Sequence, residues 1–599
     1  MPTKSLHLRQ AALVSVGTVV ATGAILTLIM QLWRADWTVP FAYSKDALLC
    51  AMLAKTVAEN GWYLHNPLLG MPGGLSYYDY PFGDALHFAL LWLLSCVTRK
   101  FGLIVNLFYV LSFPLASLAS LFTLRRLGMT WGCAVVGALL YAFLPYHFLR
   151  GEPHLFLSMY WVAPLSILVM LWIGDEQGLR GRGRGAAAAL VCALLGVSGF
   201  YYAFFAGFLF LVAGAEAAVR RKCARPLIAG VALVGLVGCV GLLNVVPNLQ
   251  YWHGHGQNPS VAHRAPMEAD YYGLKVAQLL LPVTGHRLRA QARFKDDYNN
   301  TMPMINENDD STLGIVGSMG FLILILCLGL RSTALFPSVL GRLVTLNLFA
   351  VLLGTVGGVG SLVALTVLPQ IRSYNRVSIF IAFFALAAVL ALVDQWRRQS
   401  ACDPAKRRLG VALLAFLLFF GLFDQTSASF VPDYAQLNRQ YGSDDRFVRD
   451  IEAAVPSHAM VFQFPAVPFP EGMTRIDMTD YQQFRGYLHS RTLRWSYGAM
   501  KGRGADAWQR NVSMGALPAQ VGAISQAGFG GIWVNRDGYG DNGNAMARDL
   551  TALLHAPPLA SDDGRLLFFR LPARASMLVR AATVPIIVPN AARSKGEKL

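Results

Sequence analysis

The sequence predicts a mainly α-helical membrane bundle of about eleven spans, carrying extracytoplasmic juxtamembrane helices and a C-terminal soluble α/β or α+β domain. Three observations predict it. Of the 599 residues, 55% are hydrophobic and only 14% charged, outside the range of ordinary soluble domains. Apolar runs near the roughly 20 residues that a hydrocarbon core of about 30 Å demands recur along the first two thirds, broken by short charged or Gly/Pro-rich stretches. After Asp424 the composition turns to short β-like runs and polar helices. The domains are therefore expected at 1–423 and 424–599. The net charge of +17 does not point to nucleic acid, because the basic residues fall mostly at the ends of apolar runs.

The first run, Ala11 to Leu32, is too long for a signal-peptide core and continues into Trp33 and Arg34, so it reads as an uncleaved span. An outer loop follows to residue 100, in which Ala85 to Val97 is short for a span and is expected as a juxtamembrane or re-entrant helix. Phe101 to Leu124 then descends to Arg125 and Arg126. Spans are expected at Trp131 to Phe148, at Leu155 to Ile173, in a hairpin turning near Gly199 to Tyr202, and at Leu227 to Val246. A second long outer loop covers 247–313. The eighth span ends near Arg331, a ninth rises through Val344 to Gly358, Ser361 to Pro369 is a second re-entrant candidate, and the last two spans flank Arg397 to Arg408. One orientation, N-terminus inside, puts the basic clusters at Arg125, Arg180 to Arg184, Arg220 to Lys222 and Arg397 to Arg408 all on the cytoplasmic face. That orientation makes the chain an integral membrane protein with its C-terminal domain outside, and a bacterial inner membrane is the expected location.

In that domain, strands are expected at Met460 to Phe464, Gly531 to Val534 and Leu566 to Phe569, with helices at Asp444 to Ala454 and Ala545 to Leu554; the end, Arg593 to Lys598, is a basic low-complexity tail. The eight cysteines are scattered and give no disulfide framework or zinc spacing. Cys50 and Cys96 share the outer face and could pair, but buried free thiols are the expected state.

The first outer loop is dense with Asp46, Asp79, Asp84, Trp62, Asn66 and turn-forming Pro67, Pro72, Gly73 and Gly74. The run from Asp46 to Glu59 has an apolar face and is expected along the membrane surface. An aspartate shortly after the first span, the Gly61-Trp62 to Asn66-Pro67 to Leu69-Gly70 stretch, Asp79-Tyr80-Pro81 before a second helix, and a span ending Arg125-Arg126-Leu127-Gly128 together resemble the polytopic glycosyltransferases of the GT-C superfamily. The likeness is greatest to the bacterial branch with YfhO-like membrane proteins and covers roughly residues 1 to 400. It implies a polyprenyl-phosphate-linked sugar donor, a glycan, lipid or protein acceptor in the envelope, and a first-loop acid as general base. Carried over, that acid is Asp46, with Asp79 as second candidate. A carboxylate suits the task because the acceptor proton must go to a positioned base as the C1–oxygen bond breaks. Relatives often pair acids in sequence, whereas Lys45 precedes Asp46 here. No metal ligand set is therefore assigned, although a divalent metal stays open.

Other candidates for substrate binding follow from residue type. Glu152 and His154, in the turn Arg150-Gly-Glu152-Pro-His154, sit at a membrane exit. Arg264, Glu268, Tyr271, His286 and Arg287 lie in the second outer loop, where charge interleaved with aromatics suits a sugar-phosphate cleft. Arg372 and Arg376 stand outside against the positive-inside trend and suit a lipid phosphate. Trp495 lies in an aromatic and Arg-rich run that suits either glycan contact or a seam to the bundle. Without a P-loop or dinucleotide fingerprint, and with short cytoplasmic loops, a soluble nucleotide-sugar donor is disfavoured. A transporter or flippase of lipid-linked sugars is the competing reading, and would show charges at mid-bilayer or repeated halves with broken helices. A non-catalytic assembly factor would leave Asp46 replaceable.

Overall fold

A computed structural model describes residues 2–329, 338–472 and 476–572. The expected span end at Arg331 and the basic tail from Arg593 lie outside the described residues. Seven helices among those residues are long and apolar enough to cross a membrane: Leu8–Met30, Phe101–Arg126, Trp131–Arg150, Phe200–Arg221, Arg225–Asn244, Tyr374–Gln399 and Pro404–Gln425. The remaining expected spans are shorter helices, Val162–Ile173, Arg184–Val197, Gly314–Gly329 and Ser338–Gly354. The fourth expected span becomes helical only at Val162 because Gly151, at φ 48°, and Pro153 turn the preceding chain. Within Trp131–Arg150 the helix breaks after Ala142 and restarts at Pro145, whose ring supplies no backbone donor.

Ser378–Gln399 is buried on every side from Ser378 to Ala391, so it runs through the middle of the bundle. Against it, Gly314–Gly329 packs closely enough that a Cβ on Gly320 would lie 2.0 Å from the Ala385 carbonyl oxygen, which explains the small residue. The first helix is mostly exposed apolar surface, with Leu13, Val16 and Leu28 pointing outward as lipid would require. It is tied to the second span by Thr22 donating to Ser117 across 3.1 Å. Near one end of the bundle, basic side chains bond helix ends and an acid on their own helix. Arg220 and Arg221 each donate to the Gly174 carbonyl at 2.7 Å, Arg342 donates to Leu171 O at 2.8 Å, and Arg398 pairs with Asp394 at 2.8 Å.

The loop after the first span folds as the helix Asp46–Asn60, a short antiparallel pair β1 (His65–Asn66) and β2 (Leu75–Ser76), and the helix Ala85–Ser95. Nearly the whole of Ala47 to Ala58 is buried, both faces included, so Asp46–Asn60 does not lie along a membrane surface with one side wet. The C-terminal domain covers its other face.

That domain is a mixed α/β unit. Its five-stranded sheet has the order β4 (Arg494–Trp495), β3 (Met460–Phe464), β5 (Phe529–Asn535), β7 (Leu566–Arg570), β6 (Leu559–Ala560); the β4–β3 and β3–β5 pairs are parallel, the β5–β7 and β7–β6 pairs antiparallel. The expected strands are β3, β5 and β7, and the expected helices fall within Tyr434–Ala454 and Asn544–Leu554. Two amphipathic helices, Gly504–Ser513 and Leu517–Gln526, were not anticipated.

The seam between this domain and the first loop is polar. Asp444, with no exposed surface, accepts from the Tyr43 hydroxyl at 2.9 Å and from Arg485 at 3.2 Å, and pairs with Arg565 at 3.1 Å. Lys55 donates to the carbonyls of Tyr487 at 2.7 Å and Leu488 at 3.1 Å. A buried ammonium is tolerated only with partners of this kind. The cysteines are free, Cys50 and Cys96 among them, but Cys50 is only partly buried and Cys96 is exposed, against the expectation of buried thiols.

Candidate active site

A cavity of about 650 Å³ opens where the first loop, the turn after Pro145–Arg150, the start of Phe200–Arg221, the segment before Ser378 and the C-terminal domain meet. Asp46 lines it from the first position of its helix. The N-cap is Lys45, held at φ 51°, and no side chain caps the helix there. The aspartate is thus not consumed in capping, and a strained residue fixes the angle at which the helix presents it. Its side chain is 42% exposed, to the cavity, and its nearest titratable neighbour is His154, with Nε2 at 3.7 Å from Oδ2. Partial burial, reinforced by the negative charges of Asp480 and Glu307, pushes its carboxyl up to about 6 despite Arg372 and Arg376. Burial, with Arg150 and Arg376 nearby, pushes His154 down to about 3, so it is a neutral imidazole at physiological pH and its contact with Asp46 is no ion pair.

Three arginines line the same cavity, each aligned by an acid. Arg376 donates to Glu307 Oε2 at 2.9 Å and stacks over Tyr201 at 4.2 Å; Arg372 donates to Glu268 Oε2 at 2.9 Å; Arg264 donates to Glu471 Oε2 at 3.0 Å and to the Tyr80 hydroxyl at 3.2 Å. Glu307 is shared, for Arg150 also donates to its Oε2 at 2.8 Å while reaching Asp310 at 3.1 Å. Burial alone would raise the Glu307 carboxyl, but Arg376 and Arg150 outweigh it and hold it well below the usual range. Because a guanidinium has five donors, each of these cavity arginines retains donor capacity for an anion. Between the charges the wall is apolar, with Leu49, Leu53, Phe82, Phe156 and Phe200.

A further acid, Asp84, lines the cavity and bonds His87 Nδ1 at 2.8 Å. Burial raises its carboxyl against the pull of His87. Gly199 is required beside it: its φ is 94°, and a Cβ there would stand 2.7 Å from Asp84 Oδ1.

Of the residues singled out in the sequence, Asp46, His154, Arg264, Arg372 and Arg376 share this cavity. Asp79 does not line it. It is buried and held by Arg503 through bonds of 2.7 and 2.6 Å, joining the first loop to the C-terminal domain. Glu152 is buried, accepts from the Ala42 amide at 2.8 Å, and is pushed by burial up to about 8. Glu268 stands behind the cavity as the partner of Arg372, and Tyr271 is an exposed edge residue against Tyr272. His286 lies 3.4 Å from Asp424, and Arg287 donates to the Phe423 carbonyl at 3.0 Å and to the Thr426 hydroxyl at 2.7 Å; both brace the second outer loop on the last span. Trp495 is wholly buried in β4, edge-on to Trp533 at 5.4 Å. Glu307, Glu471, Asp480 and Asp84 belong to the cavity, yet none was singled out as a site residue. The acidic run Glu307 to Asp310 just before a span was the available signal. Among the described residues no three His, Cys, Asp or Glu side chains gather in an arrangement that could hold a metal.

No family model and no curated protein sequence matches the chain. Solved structures do. ArnT from Cupriavidus metallidurans bound to undecaprenyl phosphate is 12% identical, with 92% of this chain and 97% of that one aligned at a TM-score of 0.51. The same protein in its apo state is 11% identical over the same shares at 0.52. At such identities the likeness speaks for the fold. This chain shares the polytopic membrane fold of that ArnT protein, with a mixed α/β domain at its C-terminal end.

Proposed function

We propose that the protein is a membrane glycosyltransferase that moves a sugar from a polyprenyl-phosphate donor to a hydroxyl of an envelope acceptor on the extracytoplasmic face. The observation that carries this reading is a single cavity in which a carboxylate poised near 6 faces arginines across an apolar wall. Asp46 takes the acceptor hydroxyl proton, the acceptor oxygen bonds the sugar C1, and the C1–oxygen bond to phosphate breaks. Polyprenyl phosphate leaves with the electron pair, and Arg372, Arg376 and Arg264 supply donors where its charge grows. Neutral His154, 3.7 Å from Asp46, does not compete for the proton.

Support for the donor comes from the fold likeness to a protein solved with undecaprenyl phosphate. The basic side chains of the loops around Gly174 and Arg398 favour the N-terminus-inside orientation, with eleven spans in all. The division at residues 423 and 424 follows the same reading. Placement in the YfhO-like branch rests on the first-loop motifs alone.

Binding of undecaprenyl phosphate to the purified full-length protein tests the donor site. Arg372→Gln is expected to weaken it about tenfold, the worth of one charge-assisted bond. Asp46→Asn is expected to leave it unchanged. Equal binding by Arg372→Gln and wild type would place the lipid phosphate elsewhere.

The base also sets a pH dependence. Asp46 works only when ionised, so kcat/KM is expected to rise with pH through a midpoint near 6 and then level off, His154 being neutral throughout that range. A rate that falls as pH rises through this window would contradict the assignment.

A further inference from the structure

Asp480 and Tyr481 of the C-terminal domain also line the cavity, and neither has a task in the reaction just described. Their backbone is unusual. Tyr481 is held at φ 61° and Glu471, on the same rim, at φ 55°, a region that residues with side chains adopt only where the surroundings impose it. Those surroundings are visible. Gln482 donates to Asp537 at 3.0 Å and accepts from the Thr479 amide at 3.2 Å, Gln483 donates to the Pro465 carbonyl at 3.0 Å, and the Tyr481 ring lies parallel to Phe484 at 6.2 Å. The segment is therefore fixed with both side chains at the cavity. Neither the Asp480 carboxylate nor the Tyr481 hydroxyl bonds a protein group among the described residues, whereas each cavity arginine is matched by an acid.

We propose that Asp480 and Tyr481 form the acceptor subsite, receiving the hydroxyl groups of a polyol that flank the one Asp46 deprotonates. The inference rests on the transferase reading. A carboxylate accepts charge-assisted bonds from more than one hydroxyl, and a tyrosine adds a donor beside an apolar ring face, the pairing that suits a sugar ring. Asp480 has Lys45 and Glu471 within electrostatic reach, and Glu471 is itself paired with Arg264, so the Asp480 carboxylate is the acid here with no ion pair of its own among the described residues. The negative charge of Asp480 is also one of the influences that raise Asp46, which places the two carboxylates within electrostatic reach.

The test uses the full-length protein in its own membranes, which supply the acceptor, with labelled sugars on undecaprenyl phosphate. Asp480→Asn keeps shape and removes charge. It is expected to lower transfer to membrane-held acceptor about tenfold or more, while release of free sugar to water and binding of undecaprenyl phosphate stay near wild type. Asp480→Glu should recover part of the loss, and Tyr481→Phe should cost a few-fold. Transfer and water release falling together would make Asp480 a donor-side residue, and transfer unchanged in Asp480→Asn would remove it from the site; either overturns the proposal. A wild type that consumes no donor defeats the underlying transferase reading instead, which the unmutated protein reports separately.

Discussion

Replacing Asp46 by Asn is expected to lower sugar transfer by about 10²- to 10⁴-fold, the usual span for loss of a general base. The substitution keeps the shape of the side chain and leaves the Lys45 turn and the helix start intact. It removes a group whose charged form is disfavoured by burial and by Asp480 and Glu307, so the folded protein should be no less stable for it. The loss should therefore appear in kcat, with undecaprenyl phosphate binding and thermal behaviour close to wild type. Steady-state kinetics on the purified variant decide it, and a kcat within a few-fold of wild type would remove Asp46 as base.

Glu307→Gln is the variant expected to damage the fold most at this site. Glu307 accepts from Arg150 at 2.8 Å and from Arg376 at 2.9 Å, and Arg150 has no exposed surface. Removing one carboxylate leaves two guanidiniums short of their counter-charge, of which Arg150 keeps Asp310 and Arg376 keeps nothing comparable. Breaking a buried pair from one side costs about 3–5 kcal/mol. The expected result is a marked drop in the temperature at which the detergent-solubilised protein loses its monodisperse peak, together with loss of donor binding. Adding Arg376→Met to Glu307→Gln should recover part of the stability, because the orphaned charge goes with it, but none of the binding. A Glu307→Gln protein as heat-resistant as wild type would show that the network does not hold the site together.

The bundle was legible because a bilayer imposes one solution on the backbone, and apolar runs of the right length betray it. Span lengths were less legible. Val162–Ile173 is shorter than its apolar run because Gly151 and Pro153 hold the chain in turns, an effect no hydropathy window registers. Asp46 could be found from its place after the first span. Glu307 left a signal in the acidic run before a span, but its role, like that of Asp480, depends on which distant arginine or acid the fold brings beside it: Glu307 lies 157 positions from Arg150 in sequence, yet they share a 2.8 Å bond. Trp495 shows the converse. An aromatic and Arg-rich run reads alike whether it faces a glycan or a seam, and here Arg485, Tyr487 and Trp495 are absorbed by docking and core packing while Asp480 and Tyr481 reach the cavity. The helix Asp46–Asn60 looked amphipathic because only its own residues were in view; the domain that covers its second face begins more than 370 residues later.

The central claim is that this cavity transfers a sugar from a lipid phosphate. The most direct measurement presents purified full-length protein, restored to its own membranes, with a panel of labelled sugars on undecaprenyl phosphate and follows label into membrane-held acceptor. At least one donor is predicted to be consumed by the wild type and spared by Asp46→Asn. Consumption of none, or equal consumption by both proteins, would contradict the account.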